Sequence, residues 1–306
     1  MNLFGFLKRT LKPFDCGYLP EKDGHSIYYH QYGNPNGNVV LYFHGGPGGE
    51  SKEKQARYFN LKKNRVVLFD QRACGKSVAA DAFFNNCTPE TIKDAKRLLD
   101  FLHINGKITV AGASFGSTCA VLFAETYPTL VNKIIAISVF LGRKKDFADF
   151  SKSFPLFYPD IMDTLNQQTL GADIDQYFHC LAFSQNRKQQ EKAVKYYGGL
   201  EYQLGRKEMH FGTVDFNEKE LFSLRCMLHY CVNNMFLTEN QILKNCDKIK
   251  NIETLIYQNR LDFCCPPYQA YELHKALPKS KLILFPSFGH GSKALREKIT
   301  QDLKEM

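Results

Sequence analysis

The stretch KITVAGASFGSTCAVLFAETY, residues 107–127, joins a short apolar run to a longer helix-like run through a turn built around a serine. Residues 107–111 are typical of a buried strand, and residues 117–127 are typical of a helix. Between them lies GASFG, residues 112–116. The flanking glycines, Gly112 and Gly116, allow a sharp turn that exposes the serine hydroxyl at the carboxyl edge of a sheet. Ser114 is therefore the candidate nucleophile.

Strand-like and helix-like segments alternate on both sides of this turn. The strand candidates are short and almost continuously apolar, which is typical of a parallel sheet that is covered on both faces. Besides 107–111 they are residues 39–43, 65–69, 133–139, 253–257 and 281–285, and further helices are predicted at 88–102 and 268–277. The fold class is thus α/β, with a mostly parallel sheet and helices on both of its faces.

One long segment interrupts this alternation. From residue 142 to residue 243 the chain is aromatic, polar and helical in its periodicity, with no buried-strand pattern. We therefore predict a catalytic domain formed by residues 1–141 and 244–306, and an inserted helical domain formed by residues 142–243.

Composition narrows the classes of partner. The chain has 306 residues and a formal charge of +9, but its lysines and arginines form only short clusters that do not alternate with aromatic residues. This pattern is not that of a nucleic-acid-binding surface. No apolar run approaches the ~20 residues that span a membrane. We expect neither a nucleic acid nor a membrane as a partner.

The cysteines point to a reducing compartment. Ten cysteines are present, with no CxxC pair and no recognisable export signal at the start of the sequence. Their spacing fits neither a zinc site nor a small disulfide scaffold. We therefore expect reduced thiols and a cytoplasmic location.

A serine nucleophile needs a base, and the base needs an acid that orients it. After a strand–serine–helix turn of this kind, the acid and then the base follow in chain order. The loop after strand 253–257 holds a single carboxylate, Asp262, and the segment after strand 281–285 holds His290. Ser114, Asp262 and His290 are the predicted catalytic triad.

A second glycine-rich turn follows the strand in VVLYFHGGPGGES, residues 39–51. Acyl transfer places negative charge on a carbonyl oxygen, and backbone N–H groups can stabilise it. Glycine lets the backbone approach a ligand without interference from a Cβ atom. The predicted oxyanion donors are the amides of Phe115 and Gly46, with Gly45 as the next candidate.

Two glycine patterns resemble nucleotide sites without fitting them. CGKS at 74–77 resembles the end of a phosphate-binding loop, but that loop requires glycine at the position of Asp70. HGGPGG at 44–49 lacks the GxGxxG spacing. We expect no nucleotide cofactor, and chemistry at Ser114 needs no metal or organic cofactor.

Together these segments resemble the proline iminopeptidases, serine α/β-hydrolases that release N-terminal proline from peptides. HGGPGG followed by DQRxxGxS is specific to this family and its close relatives. The segments are DCGYLPEKDGHSIYYHQYGNPNG at 15–37, HGGPGG at 44–49, DQRACGKS at 70–77, GASFGS at 112–117, FLGRKKDF at 140–147, NRLDFCCP at 259–266 and GHGS at 289–292. The resemblance covers nearly the whole chain. It implies an α/β-hydrolase fold with a helical cap, the same triad and oxyanion donors, and short peptides with N-terminal proline as substrates.

In that family, carboxylates from the cap bind the cationic N-terminus of the substrate. The family pattern W-x-x-W-E aligns with residues 197–201, which keep Glu201 and neither tryptophan. The pattern R-x-E-x-H-Y aligns with residues 225–230, where Met227 stands in place of a second glutamate. The resemblance thus implies Glu201, Met227 and Tyr230 as candidate substrate-binding residues.

We interpret the chain as a serine aminopeptidase that releases N-terminal proline or a small residue from peptides. Met227 leaves open an altered specificity toward esters, amides or blocked N-termini. A ligand-binding protein of the same fold, with little turnover, is the alternative from another class, and the complete triad argues against it. The sequence leaves open the oligomeric state and whether Cys264 and Cys265, close to Asp262, confer sensitivity to thiol reagents.

Overall fold

The computed structural model describes residues 10–200 and 214–305. In this part of the chain, eight strands form one sheet in the order β1-β3-β5-β4-β7-β8-β9-β10, and β2 pairs with β6 separately. The strands are β1 Asp15–Tyr18, β2 His25–Ser26, β3 Tyr28–Gly33, β4 Asn38–Phe43, β5 Asn64–Phe69, β6 Val78–Ala79, β7 Ile108–Ser114, β8 Val131–Val139, β9 Glu253–Leu261 and β10 Ser280–Phe288. The six strands from β5 to β10 along this order are parallel, as predicted, and β1 and β3 add an antiparallel edge.

The antiparallel edge was not predicted, because polar residues interrupt the apolar run of β3 although the strand is buried. His30 and Gln31 are both buried within it. His30 is hydrogen-bonded to Tyr32 and Ser51, and the Gln31 amide donates to Asp15. Buried polar groups are tolerated when they are hydrogen-bonded, so such a strand lacks the apolar run that reveals a buried strand in sequence.

Helices cover both faces of the sheet, as predicted. Alternate strand residues point to opposite faces, so Leu41 and Phe43 join one hydrophobic cluster and Val40 and Tyr42 join another. The first cluster contains residues of α2 Thr88–Phe101, α3 Phe115–Thr126, α9 Gln241–Asn245 and α10 Pro267–Ala276, and the second contains residues of α1 Glu53–Ala56 and α11 Lys293–Glu305. The sheet therefore lies between two layers of helices.

The segment between β8 and β9 is helical in its described residues. Its helices are α4 Lys144–Phe157, α5 Pro159–Thr169, α6 Ile174–Phe183, α7 Arg187–Ala193, which continues into a π-helical turn at Val194–Gly198, and α8 Glu218–Val232. They share a hydrophobic cluster of their own, with Phe178, Leu165 and Leu228 fully buried at its centre. The end of the segment differs, because Met235 and Ile242 pack into the core of the sheet.

Within residues 10–200 and 214–305, no helix combines the length and the apolar character needed to cross a bilayer.

Candidate active site

Ser114 occupies a strained turn between β7 and α3. Its backbone has φ 57° and ψ −130°, a conformation that non-glycine residues rarely adopt. A Cβ atom at Gly112 would collide with the carbonyl of Gly116, and one at Gly116 would collide with the carbonyl of Phe43. The two glycines therefore let α3 approach β7 and β4 closely. The Ser114 side chain makes no capping hydrogen bond to α3, so its hydroxyl is not used to start the helix.

Asp262 and His290 lie side by side beyond the ends of β9 and β10. The distance from His290 Nδ1 to Asp262 Oδ2 is 2.9 Å. A carboxylate can only accept here, so Nδ1 carries the proton and Nε2 is left to accept one. Burial disfavours the imidazolium, but the negative charge of Asp262 outweighs it and raises the pKa of His290. This arrangement suits a general base.

The Asp262 carboxylate is held by more than His290. Its Oδ1 atom accepts the backbone N–H groups of Cys264 at 3.0 Å and Cys265 at 2.9 Å. The Gln258 amide donates to Oδ2 at 3.3 Å. Asp262 itself is almost fully buried. One carboxylate thus fixes both the imidazole and the backbone of the two cysteines that follow it.

Cys264 and Cys265 lie close to His290. The Cys264 and Cys265 sulfur atoms and a His290 ring nitrogen all lie within 4.8 Å of one another. Both cysteines line the same cavity as Ser114. A hydrogen bond with Cys265 lowers the pKa of Cys264 to about 7, and the same pairing raises the pKa of Cys265. The sequence showed only that these two cysteines follow Asp262 closely along the chain, and not that their thiols lie near His290.

The glycine-rich loop after β4 packs directly against the serine turn. A Cβ atom at Gly45 would lie 3.0 Å from the Ala113 carbonyl oxygen and 3.4 Å from Ser114 Cβ. Gly46 has φ +135°, which favours glycine, and lines the same cavity as Ser114. The predicted donors Gly46 and Gly45 are therefore brought next to Ser114, to which Phe115 is joined directly.

His44 holds this loop in place through hydrogen bonds. It is fully buried, which lowers the pKa of its imidazole. Its Nε2 atom accepts the backbone N–H of Gln71 at 3.0 Å, and its Nδ1 atom donates to the Gly45 carbonyl at 2.7 Å. The Gln71 side chain donates in turn to the His44 carbonyl at 2.8 Å. His44 therefore has a structural role.

Tyr230, another candidate substrate-binding residue, packs against Phe115. It is almost fully buried, its ring packs edge-on against Phe115 at 5.3 Å, and its hydroxyl donates to Asn86 at 2.9 Å. Met227 and Cys231, one helical turn apart on α8, line the cavity, whereas Tyr230 lies on the flank of that stripe. Tyr230 thus packs against Phe115, and it is not among the described residues that line the cavity.

The cavity above Ser114 has a volume of about 380 Å³. Gly46 and Ser114 form part of its wall on the side of the sheet, and Met227 and Tyr197 form part of its wall on the side of the helical segment. Met227 is therefore placed where a substrate-binding residue was expected. Glu201, the remaining candidate, lies outside the described residues.

Among the described residues, three carboxylates also line this cavity, and one of them, Asp175, has neither an ion pair nor a helix-capping role. Asp146 forms an ion pair with Arg143 at 2.7 Å. Asp173 caps α6 by accepting the backbone N–H of Gln176 at 2.9 Å. Asp175, in the first turn of α6, accepts only the Tyr197 hydroxyl, at 2.7 Å, and no lysine, arginine or histidine of the described residues forms an ion pair with it.

Burial raises the pKa of Asp175, although the hydrogen bond from Tyr197 opposes this shift. A carboxylate in such surroundings is stabilised in its charged form by a cation that enters the cavity. Sequence reasoning missed Asp175, because no pattern in IDQYFHC distinguishes it from an ordinary acidic residue at the start of a helix.

Comparison with known proteins agrees with the architecture. Residues 38–294 match the family described as the alpha/beta hydrolase fold. A solved alpha/beta hydrolase enzyme, MGS-M2 from a Medee basin deep-sea metagenome library, superimposes with a TM-score of 0.60 at 21% identity, over 94% of this chain and 95% of that chain. The chain belongs to the α/β hydrolases.

Closer relatives define the family within this class. The proline iminopeptidase of Arabidopsis thaliana is 32% identical over 93% of this chain and 78% of its own length. The proline iminopeptidase of Neisseria gonorrhoeae is 33% identical over 89% of each chain. The chain is therefore a member of the proline iminopeptidase family.

Proposed function

We propose that this protein is a serine aminopeptidase that releases N-terminal proline, or another small residue, from short peptides. The observation that carries this proposal is that Ser114 and Asp175 line one cavity. Cys264 and Cys265 line it too, their backbone N–H groups bond to Asp262, and Asp262 is hydrogen-bonded to His290. Such a cavity combines a nucleophile for an acyl group with a carboxylate for an amine.

The reaction begins with attack by the Ser114 hydroxyl oxygen on the carbonyl carbon of the first residue. His290 Nε2 takes the hydroxyl proton, and Asp262 stabilises the imidazolium that forms. The backbone N–H groups of Gly46 and Phe115 stabilise the negative charge on the carbonyl oxygen. His290 then donates its proton to the leaving peptide amine. Water, activated by the same histidine, releases the amino acid from Ser114.

The free N-terminus of the substrate is recognised by charge. An ammonium group that enters a largely apolar cavity must be paired, because its desolvation is otherwise costly. Met227 cannot pair with it, and Asp175 can. In our proposal Asp175 takes the part that the missing second glutamate plays in the family pattern, together with Glu201. Residues 142–243 act as the cap that closes over the bound residue.

The proposed function is tested by comparing three substrates on one preparation. These are a prolyl arylamide with a free amine, the same compound with an acetylated nitrogen, and a short p-nitrophenyl ester. We expect the free-amine compound to have the highest kcat/KM. If the acetylated compound or the ester is preferred, the cavity selects for something other than a cationic N-terminus, and the aminopeptidase proposal is wrong.

A fluorophosphonate probe separates an enzyme from a binding protein of the same fold. We expect wild-type protein to be labelled, and Ser114→Ala to be unlabelled although it is folded. Absence of labelling in folded wild-type protein would instead favour a ligand-binding protein.

A further inference from the structure

Three metal-ligating groups meet at the edge of the catalytic cavity. The sulfur atoms of Cys264 and Cys265 and a ring nitrogen of His290 lie within 4.8 Å of one another. Among residues 10–200 and 214–305, no other three histidine, cysteine or acidic side chains converge in this way. We propose that Cys264, Cys265 and His290 form a binding site for a soft divalent metal ion such as Zn²⁺, and that the bound ion inhibits the enzyme.

The donor set suits zinc. Zn²⁺ binds thiolate sulfur at about 2.3 Å and imidazole nitrogen at about 2.0–2.1 Å in a tetrahedral arrangement. These bond lengths place neighbouring donor atoms about 3.5–3.8 Å apart. The observed upper limit of 4.8 Å is close enough for small side-chain rotations to complete the site. Two thiolates also neutralise the charge of the ion, so a neutral complex forms in a largely apolar cavity.

Asp262 already provides the outer support that such sites have. A histidine that binds a metal usually donates its other ring N–H to a carboxylate, which fixes its orientation. His290 does this through Nδ1, at 2.9 Å from Asp262. Asp262 also accepts the backbone N–H groups of Cys264 and Cys265. A single buried carboxylate therefore orients the imidazole and holds the backbone that carries both thiols.

Binding would stop catalysis for a direct chemical reason. The His290 nitrogen that is not bonded to Asp262 is Nε2, and a metal ion takes the lone pair that must accept the Ser114 proton. Cys264 and Cys265 line the cavity together with Ser114, so an ion can reach them from the substrate side. As the ion binds, each thiol loses a proton to solvent. Removal of the ion by a chelator restores the free imidazole and hence activity.

The binding test uses the full-length protein after treatment with a chelator, titrated with Cd²⁺ alone. Cadmium bound to thiolates has an ultraviolet charge-transfer band, which reports binding without any substrate. We expect one such ion per wild-type chain. Cys264→Ala, Cys265→Ala and His290→Ala should each weaken its binding by about a hundredfold, because each removes a ligand. Cys180→Ala, at an exposed cysteine on α6, is the matched control and should bind as wild type does.

The inhibition test uses Zn²⁺ and compares each protein with its own rate in the absence of zinc. We expect zinc to reduce wild-type and Cys180→Ala rates, and to have little effect on Cys264→Ala. Binding of cadmium by the Cys264→Ala/Cys265→Ala double variant as tightly as by wild type would overturn the proposal. Folded wild-type protein without a charge-transfer band would overturn it too. Because cadmium binding is read without substrate, failure here is distinguishable from failure of the aminopeptidase proposal.

Discussion

The two walls of the cavity are built in different ways. On the side of the sheet, Asp262 has four hydrogen-bond partners, and the turns at Ser114 and Gly46 have backbone conformations fixed by close contacts. On the side of the helical segment, the wall is mostly apolar, and Asp175 is held there by one hydroxyl group. We therefore infer that the reaction depends on the rigid wall and that selection of the substrate depends on the less constrained one.

The largest effect is expected from Ser114→Ala, on the rigid wall. Removal of the nucleophile should lower kcat for the prolyl arylamide by about 10⁶-fold, because the remaining groups cannot form the acyl-enzyme. Circular dichroism and thermal unfolding provide the control for folding. Activity within tenfold of wild type would show that another residue attacks the substrate.

Asp262→Asn should have the next largest effect, a loss of about 10⁴-fold in kcat, because the wrong tautomer of His290 is then favoured. The pH profile gives a second readout. His290 must be neutral to accept a proton, and Asp262 raises its pKa. In wild type the rate should therefore fall as the pH decreases through that raised pKa, and the remaining activity of Asp262→Asn should fall only at lower pH. An unchanged profile would contradict the role of Asp262.

On the helical wall, Asp175→Asn should raise KM for the free-amine prolyl arylamide by roughly 10- to 100-fold, because a charged hydrogen bond contributes about 1.5–3 kcal/mol. Turnover of the p-nitrophenyl ester should not change. The matched control is Asp173→Asn, which lies in the same wall and keeps its capping role, since asparagine is as good an N-cap as aspartate. Equal effects of the two substitutions would mean that Asp175 acts only through the structure of α6.

The smallest expected effect is on the stability of the protein, through the buried residue Glu125. Burial raises the pKa of Glu125 on α3 to about 8 from an ordinary value of 4.5. The contribution of this protonated carboxyl to the free energy of unfolding is fully present below pH 4.5, and it is lost as the pH rises through about 8. Glu125→Gln should therefore stabilise the protein at pH 8 by roughly 1–3 kcal/mol. Thermal unfolding of both proteins at pH 5 and pH 8 would check this, and an equal difference at both values would contradict it.

The rigid wall could be predicted from the sequence because its parts follow the order of the chain. A serine in a GxSxG turn, an acid after one strand and a histidine after another can each be found once the parallel strands are recognised. β9 continues to Leu261 and β10 to Phe288, so Asp262 and His290 follow the strand ends almost directly. Six strands with continuous apolar runs were enough to fix this framework.

The helical wall could not be predicted in the same way, because it depends on how helices pack. Asp175 acquires its position from the contact between α6 and Tyr197, which are far apart in the pattern of the sequence. Tyr230 shows the same limit, because its place on the flank of α8 follows from packing against Phe115. The place of Cys265 in the same cavity as Ser114 depends on the backbone turn that Asp262 fixes.

A competition measurement tests most directly whether the protein selects peptides with a free N-terminal proline. Wild-type protein is incubated with equal amounts of a tripeptide that begins with proline and of the same tripeptide acetylated at its nitrogen, and both are followed by mass spectrometry. The ratio of their rates is the ratio of their kcat/KM values. We expect the free peptide to be consumed with release of proline while the acetylated peptide remains. Equal consumption of both peptides, or consumption of the acetylated peptide first, would contradict it.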